Sequence, residues 1–175
     1  DYYDAENKKV TIDPQGNKHK SRYDNKDRLV QEEKSTVGTA TATITYQYDY
    51  LDNLKTFTDA NNHTTNYLYD DRGRLTTVTN ALNESTTYKC DQLSHIVEMI
   101  NADGTSLQNT YNVLGQRIQQ TNELGQTETC TYDAAGNTAT YTDRNGLQTI
   151  YSYNNRNRLQ SKTAGGASIA YTYLN

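Results

Sequence analysis

The sequence has no tryptophan, one proline, one phenylalanine and one methionine. Its apolar fraction of 33% is too small for an ordinary globular core rich in Leu, Ile, Val and Phe. So polar a composition usually marks disorder. The scarcity of proline and the abundance of threonine and tyrosine (16 tyrosines) oppose that, because both residue types favour strands. The expectation is thin β-structure whose covered face is built from tyrosine rings. No apolar run approaches the ~18 residues of a membrane span, so no membrane insertion is expected. Net charge is -4 with both signs interspersed. No basic stripe calls for nucleic acid and no polybasic block for an anionic membrane. Asp1 opens no signal peptide, and the chain starts and stops in mid-pattern, as a fragment of a larger protein would. Two cysteines, Cys90 and Cys130, cannot build a disulfide framework.

What is present is a repeat. A tyrosine followed by Asp or Asn falls at Tyr3, Tyr23, Tyr48, Tyr69, Tyr111, Tyr132 and Tyr153. Cys90 takes the tyrosine's place in one register, and Tyr173 opens the next. The period is about 21 residues, giving a single array of about eight units over residues 1–175. The second unit is longer by residues around Glu33 to Thr43, read as a loop or lengthened hairpin.

Four residues after the markers stand Asn7, Asp27, Asp52, Gly73, Ser94, Gly115, Gly136 and Asn157. A second turn column carries Gly16, Asn62, Asn83, Gly104, Gly125, Gly146 and Gly166. Gly, Asn and Asp tolerate positive φ or form Asx turns. Two tight turns per period, with runs of ~5–6 residues between them, predict one β-hairpin per repeat. Pairs such as Tyr46 and Tyr48, or Tyr67 and Tyr69, are two apart and so share a face. Leu29, Leu54, Leu75, Ile96 and Leu159 should pack beside those rings. The predicted fold is all-β: tandem hairpins forming one long, curved or spiral antiparallel sheet, whose units mainly touch their neighbours.

The segment Tyr69-Asp70-Asp71-Arg72-Gly73-Arg74-Leu75 resembles the signature of RHS (YD) repeats, and Tyr132-Asp133-Ala134-Ala135-Gly136-Asn137 resembles its glycine-asparagine form. Thr58 to Tyr69 and Thr142 to Gly146 resemble the connecting half. Tyr48, Asp49, Tyr69, Asp70, Gly73, Arg74, Leu75, Tyr132, Asp133, Gly136 and Tyr153 are the expected structural signature. The resemblance covers nearly the whole chain, in phase. It implies a hollow β-sheet shell like those of bacterial polymorphic and wall-associated toxins, of the cocoon-forming component of insecticidal toxin complexes, and of teneurins. In the toxins such a shell encloses a C-terminal toxic domain. The self-cleaving core segment of those relatives has no counterpart here; Asp13-Pro14-Gln15-Gly16 is read as a turn. The resemblance also implies a secreted or cell-surface bacterial protein, with the rest of its own parent chain as partner.

No catalytic, cofactor or metal residues are expected. The column Asp4, Asp24, Asp49, Asp70, Asp91, Asp133, with Asn112 and Asn154, could be read as acid/base or calcium chemistry. Adjacent members lie two strands apart, ~10 Å, too far to share an ion. Substitution by Asn removes charge but keeps the pattern, which suits turn capping. His19, His63 and His95 occupy different phases and are read as exposed, without partners at metal-like spacing. Cys90 and Cys130 lie about four strands apart, beyond the ~7 Å Cα limit of a disulfide, and are read as buried free thiols. No GxSxG, HExxH or phosphate loop occurs. The expected role is a non-catalytic shell segment that helps to encapsulate or carry an effector. The alternative is an adhesion module binding surface glycans or a partner protein through its tyrosines.

Overall fold

The computed structural model describes residues 2–3, 7–39 and 41–174. Asp4, first of the Asp column, and the side chain of Tyr3 lie outside them. The chain divides into two units, residues 1–87 and 88–175.

Unit 1 carries β1 (Tyr2–Tyr3), β2 (Lys8–Ile12), β3 (Lys18–Tyr23), β4 (Leu29–Ser35), β5 (Ala42–Tyr48), β6 (Leu54–Thr58), β7 (Thr64–Tyr69), β8 (Leu75–Thr79) and the first half of β9 (Ser85–Cys90). Unit 2 carries the rest of β9, then β10 (Ile96–Ile100), β11 (Ser106–Tyr111), β12 (Arg117–Thr121), β13 (Thr127–Tyr132), β14 (Thr138–Thr142), β15 (Gln148–Tyr153), β16 (Leu159–Ala164) and β17 (Ala167–Ala170). Within each unit, chain-adjacent strands pair antiparallel. The fold is therefore all-β, built of hairpins in series. The long second repeat is a lengthened hairpin: β4 and β5 have seven residues each and meet through a tight turn in which Thr39 N–H donates to the Thr36 carbonyl, 3.0 Å.

The two turns of a repeat build different hairpins. Across the marker turn the register slips, so that Tyr48 faces Leu54 while Gln47 faces Thr56. Lys55 is thus an extra residue, a β-bulge. The same slip recurs at Tyr23, Tyr69, Tyr111, Tyr132 and Tyr153. Across the second turn there is none, as in Thr58↔Thr64 and Thr56↔Asn66. Gln47, Thr56 and Asn66 therefore share one row. Gln47 precedes its marker by one residue and Asn66 precedes the next by three, so each repeat is staggered by two residues along the strands. In unit 2 the row Thr110, Gln119, Thr129 repeats the stagger. One step beyond Gln47 lies Tyr48, and one step beyond Asn66 lies Tyr67. The stagger thus aligns the two tyrosine columns of successive repeats.

Side chains alternate between faces with period two. In β7 the rings of Tyr67 and Tyr69 are half-buried, while Leu68 between them is 58% exposed. Leu54, Leu75, Leu29 and Leu159 stand directly opposite marker tyrosines. This is a single layer: among the described residues Val10 is the only apolar side chain counted as buried, and no polar side chain is.

Candidate functional site

The parts that recur, and so carry whatever this surface does, are the turns and the tyrosine face. In each marker turn among the described residues an Asx side chain heads the loop. Asp49 Oδ1 accepts the backbone N–H groups of Leu51 and Asn53, both at 2.9 Å. Asp52 N–H donates to the Asp49 carbonyl at 3.2 Å, and Asp52 sits at φ 67°. Asp70 repeats this with Arg72 and Arg74, and Gly73 at φ 74° takes the left-handed position. Asp133 does so with Ala135 and Asn137, and Gly136 takes that position. Asp24, Asp91, Asn112 and Asn154 head the other marker turns in the same way.

The second turn uses the same device. Asp13, Asp59, Asn80, Asn122 and Asp143 each accept two backbone N–H groups from the second and fourth residues on. From the sequence the turns are two distinct columns; in the structure most of them share one motif and differ by the bulge, while in the Gly104 turn Thr105 N–H donates to Asp103 Oδ1 instead, and β16 and β17 meet through the two residues Gly165 and Gly166.

In most of these turns the fifth residue then pairs with the head through its side chain, and the pairing obeys a polarity rule; Leu147, the fifth residue of the Asp143 turn, has no polar side chain to offer. Where the head is Asp, a donor follows: Arg28 Nε and Arg74 Nε each lie 2.7 Å from the Oδ2 of Asp24 and Asp70, and Asn53 Nδ2 donates to Asp49 Oδ2 at 3.0 Å. Where the head is Asn, an acceptor follows: Asn112 Nδ2 donates to Gln116 Oε1 at 2.8 Å, and Asn80 Nδ2 to Glu84 Oε2 at 2.7 Å. Asn154 with Arg158 breaks the rule by setting donor against donor, and Arg158 Nε is a buried atom without a hydrogen-bond partner.

These bonds set the charge state. The Arg28 guanidinium holds the Asp24 carboxyl below its ordinary value, and the Asn53 amide does the same for Asp49. The Asp70 carboxyl is held down first by the backbone N–H of Arg74 and also by its guanidinium.

The fifth residue also reaches the following turn. Arg28 meets Asp52, Gln116 Nε2 donates to the Gly136 carbonyl at 3.3 Å, and Asn137 Nδ2 to Asn157 Oδ1 at 3.2 Å. At Gly115, φ 77°, an added Cβ would fall 2.8 Å from His95 Nε2, so glycine is required there for space as well as conformation.

The marker tyrosines tie repeats together from the ring side. Tyr48 OH donates to the Leu29 carbonyl, Tyr69 OH to that of Leu54, Tyr111 OH to that of Ile96, and Tyr132 OH to that of Arg117, all within 2.8–3.0 Å. Leu29, Leu54 and Arg117 are each the residue opposite the preceding marker, beside the bulge. Cys90, in the marker column, has no phenol with which to make this bond. Burial raises the phenol pKa of Tyr69, Tyr132 and Tyr153.

Histidines were not legible as partners, but they are. His63 Nδ1 lies 3.2 Å from Asp59 Oδ2, His95 Nδ1 2.9 Å from Asp91 Oδ2, and His19 Nε2 3.1 Å from Glu32 Oε1. The first two occupy the fifth turn position. Cys90 and Cys130 are free, half-buried thiols. Among the described residues no three His, Cys, Asp or Glu side chains gather as metal ligands.

Two features of the surface were missed in the sequence. Lys18, Lys20 and Arg22 alternate along one exposed face of β3. With Lys8, Val10, Gln31 and Glu33, the latter two of these line a groove of about 420 Å³. The period-two spacing of the cations was the available signal. The third turn position also repeatedly carries an exposed leucine: Leu51 and Leu82 in unit 1, and Leu93, Leu114 and Leu124 in unit 2.

Hairpin after hairpin with one recurring turn chemistry defines a tandem β-repeat protein. The chain belongs to the RHS Repeat family, whose pattern matches residues 48–84, 69–106 and 132–169, together more than half of it. Among curated proteins none matches the chain. Solved structures share its fold. The Photorhabdus luminescens Tc holotoxin pore with a mutated TccC3 has a TM-score of 0.64 at 16% identity, covering 88% of this chain and 11% of that one. A TcdB2-TccC3-Cdc42 structure has 0.65 at 17%, covering 88% and 11%. TcdB2-TccC3 without its hypervariable C-terminal region has 0.71 at 18%, covering 89% and 9%. The chain thus spans about a tenth of the length of these relatives.

Proposed function

We propose that residues 1–175 act as one array of about eight YD repeats forming a stretch of shell wall in a larger secreted or cell-surface RHS toxin. The array is non-catalytic and helps to encapsulate or carry a C-terminal effector. Its partner is the rest of its own parent chain. The observation that carries this reading is the single-layer sheet, whose tyrosine face is covered only by its own neighbours while leucines stand exposed at the turn tips. Such surfaces call for cover by more protein. The likeness in fold to toxin-complex structures supports the same reading. The signature residues serve this role structurally: Asx heads close the turns, left-handed Gly and Asp residues permit them, and phenols bind repeat to repeat.

The test is limited proteolysis of the full-length parent protein. Wild-type repeats should protect the region C-terminal to the array. Replacing Tyr48, Tyr69, Tyr111 and Tyr132 together by Phe should admit protease to it. Equal protection in both proteins would sink the proposal. So would specific retention of the isolated chain on a glycan array that is abolished by removing its exposed tyrosines, because that result belongs to an adhesion module.

A further inference from the structure

We propose that the face of β2, β3 and β4 opposite the tyrosines is a docking surface for a sulfated polysaccharide. The case starts from the repeat. Residues one, three and five places before a marker tyrosine point away from its ring and share one face. In β13 these are Thr131, Thr129 and Thr127, and in β5, β7, β11 and β15 they are likewise uncharged. β9 carries one cation there, Lys89, which Glu98 neutralises at 2.7 Å. Among the described strands β3 alone has cations at all three places: Arg22, Lys20 and Lys18. Each is exposed, while His19, Ser21 and Tyr23 are half-buried. The turns, the bulge and the phenol bonds need no charge on this face, since the other repeats build the same hairpin without it.

Register spreads the patch over three strands. Arg22 stands between Lys8 and Gln31, and Lys20 between Val10 and Glu33. Side chains on this face are then ~5 Å apart across strands and ~7 Å apart along β3. Glu33 accepts from Lys20 at 3.2 Å and from the Gln31 amide at 3.0 Å. Among the described residues no carboxylate pairs with Arg22 or Lys18. The groove of about 420 Å³ runs between these side chains, and nearly buried Val10 is its apolar part. The backbone of β3 is paired on both sides, so whatever docks here is held by side chains alone.

This chemistry selects the partner. Exposed cations beyond the reach of Glu33 call for a polyanion. Duplex nucleic acid is held by ~6–10 phosphate contacts, more than the cations here supply. A single strand stacks its bases on aromatic rings, and the groove has none. A bilayer needs a projecting apolar side chain, and Val10 does not project. A sulfated sugar chain meets every feature. Its sulfates accept from Arg22 and the lysines, its hydroxyls donate to Glu33 and bond the Gln31 amide, and the C–H face of a ring covers Val10. Sulfate esters at several hydroxyls of one ring supply charge at both spacings of the patch. A polyuronate, with one carboxylate per sugar, does not.

Titration calorimetry of the chain with dextran sulfate tests this, against neutral dextran, a polyuronate, duplex DNA and anionic phospholipid vesicles. The expected result is salt-sensitive binding to dextran sulfate, none to dextran, and weaker binding to the other three. Replacing Lys18, Lys20 and Arg22 together by Gln should lower the affinity about tenfold and flatten its salt dependence, because fewer counterions are released. Replacing Lys55, Arg72 and Arg156 by Gln removes the same charge elsewhere and should leave binding unchanged. Circular dichroism checks the fold of each variant. Should the first triple variant not fold, Arg22→Gln alone, which breaks no ion pair, should still lower the affinity. No preference for dextran sulfate over dextran, equal losses in the two triple variants, an Arg22→Gln protein that binds as wild type, or tighter binding to polyuronate, DNA or vesicles would each overturn the proposal. The surface lies opposite the tyrosines, so this result and that of the shell test are independent.

Discussion

At the scale of single residues, the turn between β15 and β16 is the informative exception. Among the described residues, the heads and fifth residues that bond through their side chains match donor to acceptor; Asn154 and Arg158 set donor against donor, and Arg158 Nε is left unbonded. An unpaired buried donor costs more than a made bond returns. Asn154→Asp should therefore stabilise the chain by about 1 kcal/mol, read as a higher urea midpoint with unchanged slope. The converse change, Asp70→Asn, should lower the midpoint, because Arg74 Nε then faces an amide. Gly115→Ala and Gly104→Ala separate two penalties. Both place a side chain at positive φ, a cost of about 1 kcal/mol, but only at Gly115 does the new Cβ meet a neighbour, His95. The Gly115 variant should show the larger drop in midpoint.

At the scale of hairpins, the phenol bonds and the Asx heads make separate predictions. Tyr69→Phe removes the donor to the Leu54 carbonyl and leaves ring packing intact, so it should cost about 1 kcal/mol by thermal or urea denaturation. The heads govern acid stability. Asp13, Asp24, Asp49, Asp59, Asp70, Asp91 and Asp133 all have folded-state pKa values below the ordinary one. Their stabilisation is complete above the unfolded pKa of ~3.9 and is lost as pH falls through the lower folded values. Melting temperature followed by circular dichroism should hold from neutrality to about pH 5 and fall steeply below pH 4. A fall centred on pH 6 would contradict this.

Hairpins, turn positions and tyrosine alternation were legible because each depends on local rules: φ preference, period two and Asx geometry. That Leu54 shares the tyrosine face was legible for the same reason. The bulge, the two-residue stagger and the Tyr48 bond to the Leu29 carbonyl were not, because pairing register is a relation between strands and leaves no mark in one strand's composition. His95 shows the same limit. Its partner Asp91 is four residues away, a spacing that means little until the loop is seen to close.

For the chain as a whole, stability is expected to be nearly a sum over repeats and their junctions, since strands pair with chain neighbours within each unit. Removing residues 112–132, one complete period, should leave strand content per residue and protease resistance of the remainder unchanged. Removing 112–121, one turn and one strand, should disrupt both, because it takes out a bulged turn, sets two unbulged turns in succession and breaks the stagger. A single layer with so little burial should also unfold with a urea slope below that of a globular domain of equal length, because less surface is newly exposed. The staggered register carries one more consequence. Since every block leaves behind the same edge it was built upon, duplication or loss of a whole block in the gene changes only how much chain there is, and none of the surviving contacts has to be relearned.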